Sequence, residues 1–96
     1  MAFGGEFEWD EAKNAANIAK HGIDFEDAAA ILLEDAWVEP AAYRGEERFL
    51  ATGPIGGRLY TVIYTFRQGN IRIISARRAR THERRAYRQA HGGSAW

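Results

Sequence analysis

Residues 58–78, RLYTVIYTFRQGNIRIISARR, restrict the fold more than any other part of the chain. β-Branched and aromatic residues crowd the first ten positions, and apolar residues recur at every second one, as in a strand buried on one face. Gly69-Asn70 is a two-residue turn signal, and a second alternating segment follows it. The expected product is an antiparallel hairpin pairing Gln68 with Ile71, Phe66 with Ile73, Tyr64 with Ser75 and Val62 with Arg77. That register collects Tyr60, Val62, Tyr64, Phe66, Ile71 and Ile73 on a dry face, with Arg77 at its end. It leaves Thr61, Ile63, Thr65, Arg67, Arg72, Ile74, Ala76 and Arg78 on a mixed face. A slip of one residue would set Phe66 against Arg72 and Tyr64 against Ile74, mixing the two sets.

A dry face needs a cover, and the first third of the chain offers helices. Asp10 is a good N-cap for EAKNAANIAKH, and Gly22 a good stop. Ala12, Ala15, Ala16 and Ala19 form a small apolar stripe on this helix, with Lys13, Asn17 and Lys20 on the opposite side. Asp24 caps a second helix, with Asp27 at capping-box spacing. Phe25, Ala28, Ala29 and Leu32 are its buried stripe. The link HGID makes the two an αα-hairpin. Upstream, Phe3, Gly5, Phe7 and Trp9 alternate as in a half-buried strand. Beyond Ala36 the period is two again: WVEPAAY, an edge strand or irregular link because of Pro40, then ERFLATG, a strand, and PIGG, a turn. Thr81 can cap a last helix, HERRAYRQAH. The expected class is α+β: a small antiparallel β-sheet with an N-terminal αα-hairpin and a C-terminal helix.

Ninety-six residues, 46% apolar and 27% charged, suit one globular domain over 1–96, with residues 1–6 and 92–96 as frayed tails. With no cysteine, disulfides, thiol catalysis and cysteine-ligated zinc drop out, and a reducing cytoplasm is the expected location. The start lacks the basic and apolar regions of a signal peptide. The longest aliphatic run, AAAILL, is far short of the roughly 20 residues of a membrane span. The net charge of zero hides a split. Residues 1–45 hold three Lys/Arg against ten Asp/Glu, net −7, and residues 46–96 ten Arg against three Glu, net +7. Either the halves neutralise each other or the basic half faces a polyanion. Arginine suits bidentate contacts to phosphate.

Three groups could carry chemistry. Arg67, Arg72 and Arg78, spaced along paired strands, could track phosphates, or simply pair with Glu46 and Glu47. On the last helix Arg80, Arg84 and Arg88 form a basic stripe, while Ala79, Glu83, Ala86, Tyr87 and Ala90 sit at core spacing. A carboxylate on the buried side is costly unless paired, and Arg77 is the natural partner of Glu83. The pair is either structural or borders a site where Glu83 orients Arg77 or acts as a base. His21, at a helix end beside Lys20, is either a general acid or base or a group bonding the last carbonyls. His82 and His91 read as solvated. No histidine pair has metal-ligand spacing, and no phosphate loop, Ser-His-Asp set or nucleotide fingerprint appears, so neither metal nor cofactor is expected. Metal-free RNA cleavage fits these residue types. The ribose 2′-OH attacks the adjacent phosphate, leaving a 2′,3′-cyclic phosphate and a 5′-OH. The reaction needs a base, an acid and cations for the developing charge.

FEWDEAKNAANIAKHGIDFEDAA, YRGEERFLATG, RLYTVIYT and RIISARRARTHERRAY together resemble the BrnT family of bacterial type II toxins. The resemblance covers roughly residues 7–88 and is specific in the combination of WD..K...N..KHG with RIISAR.A...ERR.Y. It implies a RelE-like ribonuclease fold with helices packed on one side of the sheet, and an endoribonuclease that stops translation and growth. The implied partners are RNA and a cognate ribbon-helix-helix antitoxin, joined as a heterotetramer around an antitoxin dimer. Operator DNA would be met only through the antitoxin, and no membrane is involved. The family motifs point to Lys20, His21, Arg77, Arg78, Glu83 and Tyr87 as catalytic candidates, with Arg67, Arg72, Arg84 and Arg88 as RNA-binding residues. LLEDAWVEP departs from the family's usual DP turn after the second helix. The alternative reading is a non-catalytic module that binds nucleic acid or a protein through the same arginines.

Overall fold

The computed structural model describes residues 6–92. In chain order its elements are β1 (Phe7–Glu8), α1 (Glu11–His21), α2 (Phe25–Leu32), β2 (Trp37–Tyr43), β3 (Glu46–Ile55), β4 (Arg58–Arg67), β5 (Asn70–Arg78) and α3 (Thr81–Ala90). The strands form one sheet in the order β1-β5-β4-β3-β2. Four strands are antiparallel neighbours, but β1 runs parallel to β5 through Phe7↔Ile71 and Glu8↔Arg72. The sheet is therefore mixed, not antiparallel as expected. The chain enters along the β5 edge and must cross over through both helices before the meander begins. Of the two expected tails, residues 1–5 and 93–96 lie outside the described residues. Glu6 is tied to the sheet: its N–H donates to Asn70 Oδ1 at 3.1 Å and its carbonyl accepts from Ile71 N–H at 3.0 Å.

The central hairpin differs in register from expectation. The turn is Gln68-Gly69, with φ of 52° and 82°, and Arg67 pairs with Asn70, Phe66 with Ile71 and Tyr64 with Ile73. Two positive φ values are the backbone of a type I′ turn, which matches the twist of the strands. Moving the turn one residue back frees the Asn70 side chain to join β1 to β5. Its Oδ1 accepts from Glu6, and its Nδ2 donates to Glu8 Oε1 at 3.1 Å. Partners shift by two positions, so the six expected dry-face residues still share a face.

A β-bulge then changes the faces. Tyr64 pairs with Ile73 but Ile63 with Ser75, leaving Ile74 as the extra residue. Each β5 residue past the bulge lies on the side opposite to its expected one. Ala76 and Arg78 move to the dry face, where the Arg78 guanidinium lies 5.7 Å from the Tyr60 ring centroid. Arg77 moves to the mixed face, opposite Thr61.

The core follows from this arrangement. α2 lays Phe25, Ala28, Ala29, Ile31 and Leu32 against Ala51, Val62, Tyr64, Ile71, Ile73 and Ala76. Gly53 lets this helix approach: a Cβ there would sit 2.9 Å from Ile31 Cγ2. α3 packs on the other face, with Tyr87 and Ala79 against Leu59 and Trp37. Helices thus cover both sides of the sheet rather than one. The backbone selects this: Ala79 N–H still bonds Leu59 O at 3.0 Å, so β5 runs to its end before the chain turns over the mixed face.

In α1 the expected alanine stripe is wrong. Ala12, Ala15, Ala16 and Ala19 are exposed, and Asn14 and Asn17 are buried. Asn14 accepts Phe25 N–H at 2.9 Å and donates to Asp24 Oδ1 at 3.1 Å. Asn17 donates to Ile23 O at 3.1 Å and accepts Ala76 N–H at 3.2 Å and Ser75 Oγ at 3.3 Å. Its amide thereby takes the place of a neighbouring strand at the β5 edge, just past the bulge. The local caps stand as read: Asp10 accepts from Ala12 and Lys13, Gly22 takes φ 72°, and Asp24 accepts from Glu26. α3 begins one residue earlier than expected. Its N-cap is Arg80, whose N–H donates to Glu83 Oε1 at 2.7 Å.

Candidate functional site

The mixed face of β5 carries the cations. Alternation along the strands puts Arg48 and Leu50 of β3, Ile63, Thr65 and Arg67 of β4, and Arg72, Ile74 and Arg77 of β5 on this side. α1 lies along the β5 edge and adds Lys13, Lys20 and His21. Two grooves result. One, about 210 Å³, is lined by Lys13, Asn17, Lys20, His21, Ile74 and Ser75. The other, about 80 Å³, is lined by Lys13, Glu46, Arg48, Thr65, Arg67 and Arg72, with Ile74 beneath. They share Lys13 and Ile74, so they form one basic surface that the bulge residue floors.

Arg77 stands further along the same strand, where α3 closes the face. It meets Glu83 side-on, Nη1 to Oε1 at 2.8 Å and Nη2 to Oε2 at 3.0 Å. Glu83 is wholly buried and Arg77 keeps 15% of its side chain exposed. Thr61 Oγ1 donates to Glu83 Oε1 at 2.9 Å, and Thr52 Oγ1 lies 2.8 Å from Thr61 Oγ1. With the Arg80 amide, both carboxylate oxygens are occupied. Burial pushes the Glu83 carboxyl up, but Arg77, the Arg80 amide and Thr61 outweigh it and bring it down to about 2. A buried carboxylate so satisfied stays ionised and holds Arg77 in one orientation. The expected Arg77–Glu83 pair therefore forms, on the face opposite to the one anticipated.

The other expected residues divide. Arg67 and Arg72 lie in the basic groove, and Arg72 Nη1 contacts Glu8 Oε2 at 2.9 Å. Lys20 and His21 line its far end. Arg78 projects from the dry face over Tyr60, away from the groove. Tyr87 is buried beneath α3, its ring stacked on His91 at 4.1 Å. Arg84 and Arg88 are half-buried rather than an exposed stripe. Arg84 donates to Ala79 O at 2.6 Å and Thr81 Oγ1 at 3.2 Å. His82, 63% exposed, approaches Glu39 at 3.6 Å. Sequence reasoning missed Lys13 and Arg48 as groove residues. Lys13 was visible at i, i+7 from Lys20, one helix face. Arg48 carried no comparable signal, since it reaches the face through two strand pairings. Its Nε contacts Glu46 Oε1 at 2.7 Å, and its guanidinium lies 4.4 Å from the Tyr43 ring centroid. No group of three or more His, Asp or Glu suited to a metal ion occurs among the described residues. No helix among them is long and apolar enough to cross a membrane.

Comparisons with known proteins bear on this geometry. Among curated proteins none matches the sequence. A solved structure does: the 1.1 Å crystal structure of the Brucella abortus ribonuclease toxin BrnT is 34% identical, with a TM-score of 0.67 over 80% of this chain and 99% of that one. The model of the family described as "Ribonuclease toxin, BrnT, of type II toxin-antitoxin system" matches residues 9–83, from Trp9 at the mouth of α1 to Glu83 beneath Arg77. The chain belongs to the BrnT family of ribonuclease toxins of type II toxin-antitoxin systems.

Proposed function

We propose that this toxin cuts RNA without a metal ion, through attack of a ribose 2′-OH on the adjacent phosphate, leaving 2′,3′-cyclic phosphate and 5′-OH ends. The observation that carries the reading is the convergence of two grooves on Lys13 and Ile74, with Arg77 held by Glu83 further along the same strand face. Arg67, Arg72, Arg48 and Lys13 bind backbone phosphates. Arg77 stabilises the charge that develops on the attacked phosphate, because a guanidinium fixed in advance needs no reorganisation at that moment. His21 and Lys20, at the groove's far rim, handle protons. Glu83 is a positioning residue here, not a base, since its oxygens already accept four hydrogen bonds. Tyr87 supports α3, and Arg84 and Arg88 flank the site. Arg78 stands outside it.

In the cell, cleavage stops translation and growth in the cytoplasm. A ribbon-helix-helix antitoxin neutralises the toxin in a heterotetramer around an antitoxin dimer, which meets operator DNA through the antitoxin. The deciding experiment incubates purified toxin with RNA in EDTA and maps the ends. Cyclic phosphate and 5′-OH ends, absent with Arg77→Ala but present with Arg78→Ala, are expected. Tight, salt-sensitive binding without cleavage would instead mark a non-catalytic RNA-binding module.

A further inference from the structure

The dry face is covered except at the end that carries Val38 and Phe66. α2 ends at Leu32, and past it the hairpin end of the sheet lies open. Val38 is 47% exposed and Phe66 54%, although both point to the same side as the core. Phe66 stands edge-on to Phe49 and Tyr64, with centroids 5.6 and 5.9 Å away. A groove of about 240 Å³ runs beside them, with Ala36, Val38, Tyr64, Phe66 and Ile71 in its lining. Exposed aromatic surface of this kind commonly marks an interaction site.

The rim identifies the occupant. Glu34 and Asp35 line the same groove, immediately past the C-terminus of α2. That end of a helix is negative, and no basic residue occupies its last turn. Neither carboxylate takes part in the ion pairs of Arg48, Arg72, Arg77 or His82. The groove thus combines an apolar floor with an acidic rim. RNA is repelled by it. A second copy docking symmetrically would bring the same carboxylates together.

We infer that this groove is the docking surface for the antitoxin, and that it receives an amphipathic segment carrying an aliphatic or aromatic anchor next to a Lys or Arg. Family membership supplies the antitoxin, so the inference does not depend on the RNA reading. Because the groove lies on the sheet face opposite Arg67, Arg72 and Arg77, the docked segment grips the toxin from behind its basic surface.

The test is calorimetric titration of full-length toxin variants with the purified co-encoded antitoxin. Phe66→Asp is expected to weaken binding by at least about 30-fold, the loss typical of an interface anchor. Glu34→Lys with Asp35→Lys weakens it by about 3- to 10-fold and flattens its dependence on salt. Arg84→Ala with Arg88→Ala leaves it unchanged. Cleavage of RNA by Phe66→Asp, assayed separately, equals that of the parent, so failure of the RNA proposal and failure of this one give different results. Parental antitoxin affinity in Phe66→Asp overturns the inference. So does a free parent dimer, seen by ultracentrifugation, that Phe66→Asp dissolves. Thermal melts check folding. Should Phe66→Asp not fold, the exposed Glu34/Asp35 reversal decides alone, and parental affinity in it overturns the proposal.

Discussion

Two arginine–carboxylate pairs stand on one face of β5, at opposite ends of the basic surface, and they differ in almost everything but chemistry. Arg77 meets Glu83 through two parallel hydrogen bonds, under α3, with the carboxylate fully buried. Arg72 meets Glu8 through one contact at 2.9 Å, with the side chains 26% and 31% exposed. Glu8 is held below the usual carboxylate range, by Asn70 first and Arg72 second. The buried pair cannot separate without stranding a charge, so it behaves as part of the scaffold. The half-buried pair is reached by solvent and screened, so it can open at small cost. One guanidinium is fixed by the fold, and the other can change partners.

The largest expected effect breaks this contrast directly. Glu83→Gln should lower stability in urea by about 3–5 kcal/mol, because Arg77 keeps its burial but loses its counter-charge. Glu8→Gln should leave the urea midpoint almost where it is in the parent. Equal losses would show that burial does not separate the two pairs. Arg77→Met with Glu83→Leu sharpens the point: it should recover most of the stability lost in Glu83→Gln while remaining inactive on RNA.

Acid offers the next test. Glu83 falls from 4.5 to about 2 on folding. A depressed carboxyl stabilises the fold fully above its unfolded value, and that stabilisation disappears as the pH drops through the folded value. Urea titrations from pH 4.5 down to 2 should therefore lose on the order of 3 kcal/mol from this group, a loss missing in Glu83→Gln. Retention of the same acid slope in the variant would assign it to other carboxylates.

Smaller effects belong to the exposed end. Arg72→Ala should leave stability within about 1 kcal/mol of the parent, yet weaken RNA binding and reduce its salt slope by about one charge. An unchanged slope would remove Arg72 from the phosphate path. The smallest effect lies at the turn that leads into Arg72. Gln68 sits at φ 52°, where a side chain is disfavoured. Gln68→Gly should stabilise the protein by about 0.5–1 kcal/mol in thermal unfolding, with no change at Arg77.

What was legible in the chain was what depends on near neighbours. Asp10, Gly22 and Asp24 act through backbone groups within four residues, so their roles as caps could be read directly. The six dry-face residues were legible because alternation survives a two-residue change of register. Arg77 and Glu83 were matched by charge and burial, an argument indifferent to which face they share. The alanines of α1 misled because hydropathy ranks them above asparagine. It takes no account of two amides that find every partner they need at Phe25, Asp24, Ile23 and Ala76.

The sequence by itself determined the α+β class, the caps at Asp10, Gly22 and Asp24, the hairpin's apolar side and the ion pair at the end of β5, since local geometry and alternation suffice for each. Only the tertiary structure decided which face each arginine serves. One extra residue at Ile74 exchanges Arg77 for Arg78, and α3 closes over the side that receives Arg77. Lys13 and Arg48, 35 positions apart in the chain, meet over Ile74 because α1 takes over the sheet edge where β1 stops. Period and propensity carry no record of a bulge beside which an asparagine bonds Ala76, 59 residues further along the chain.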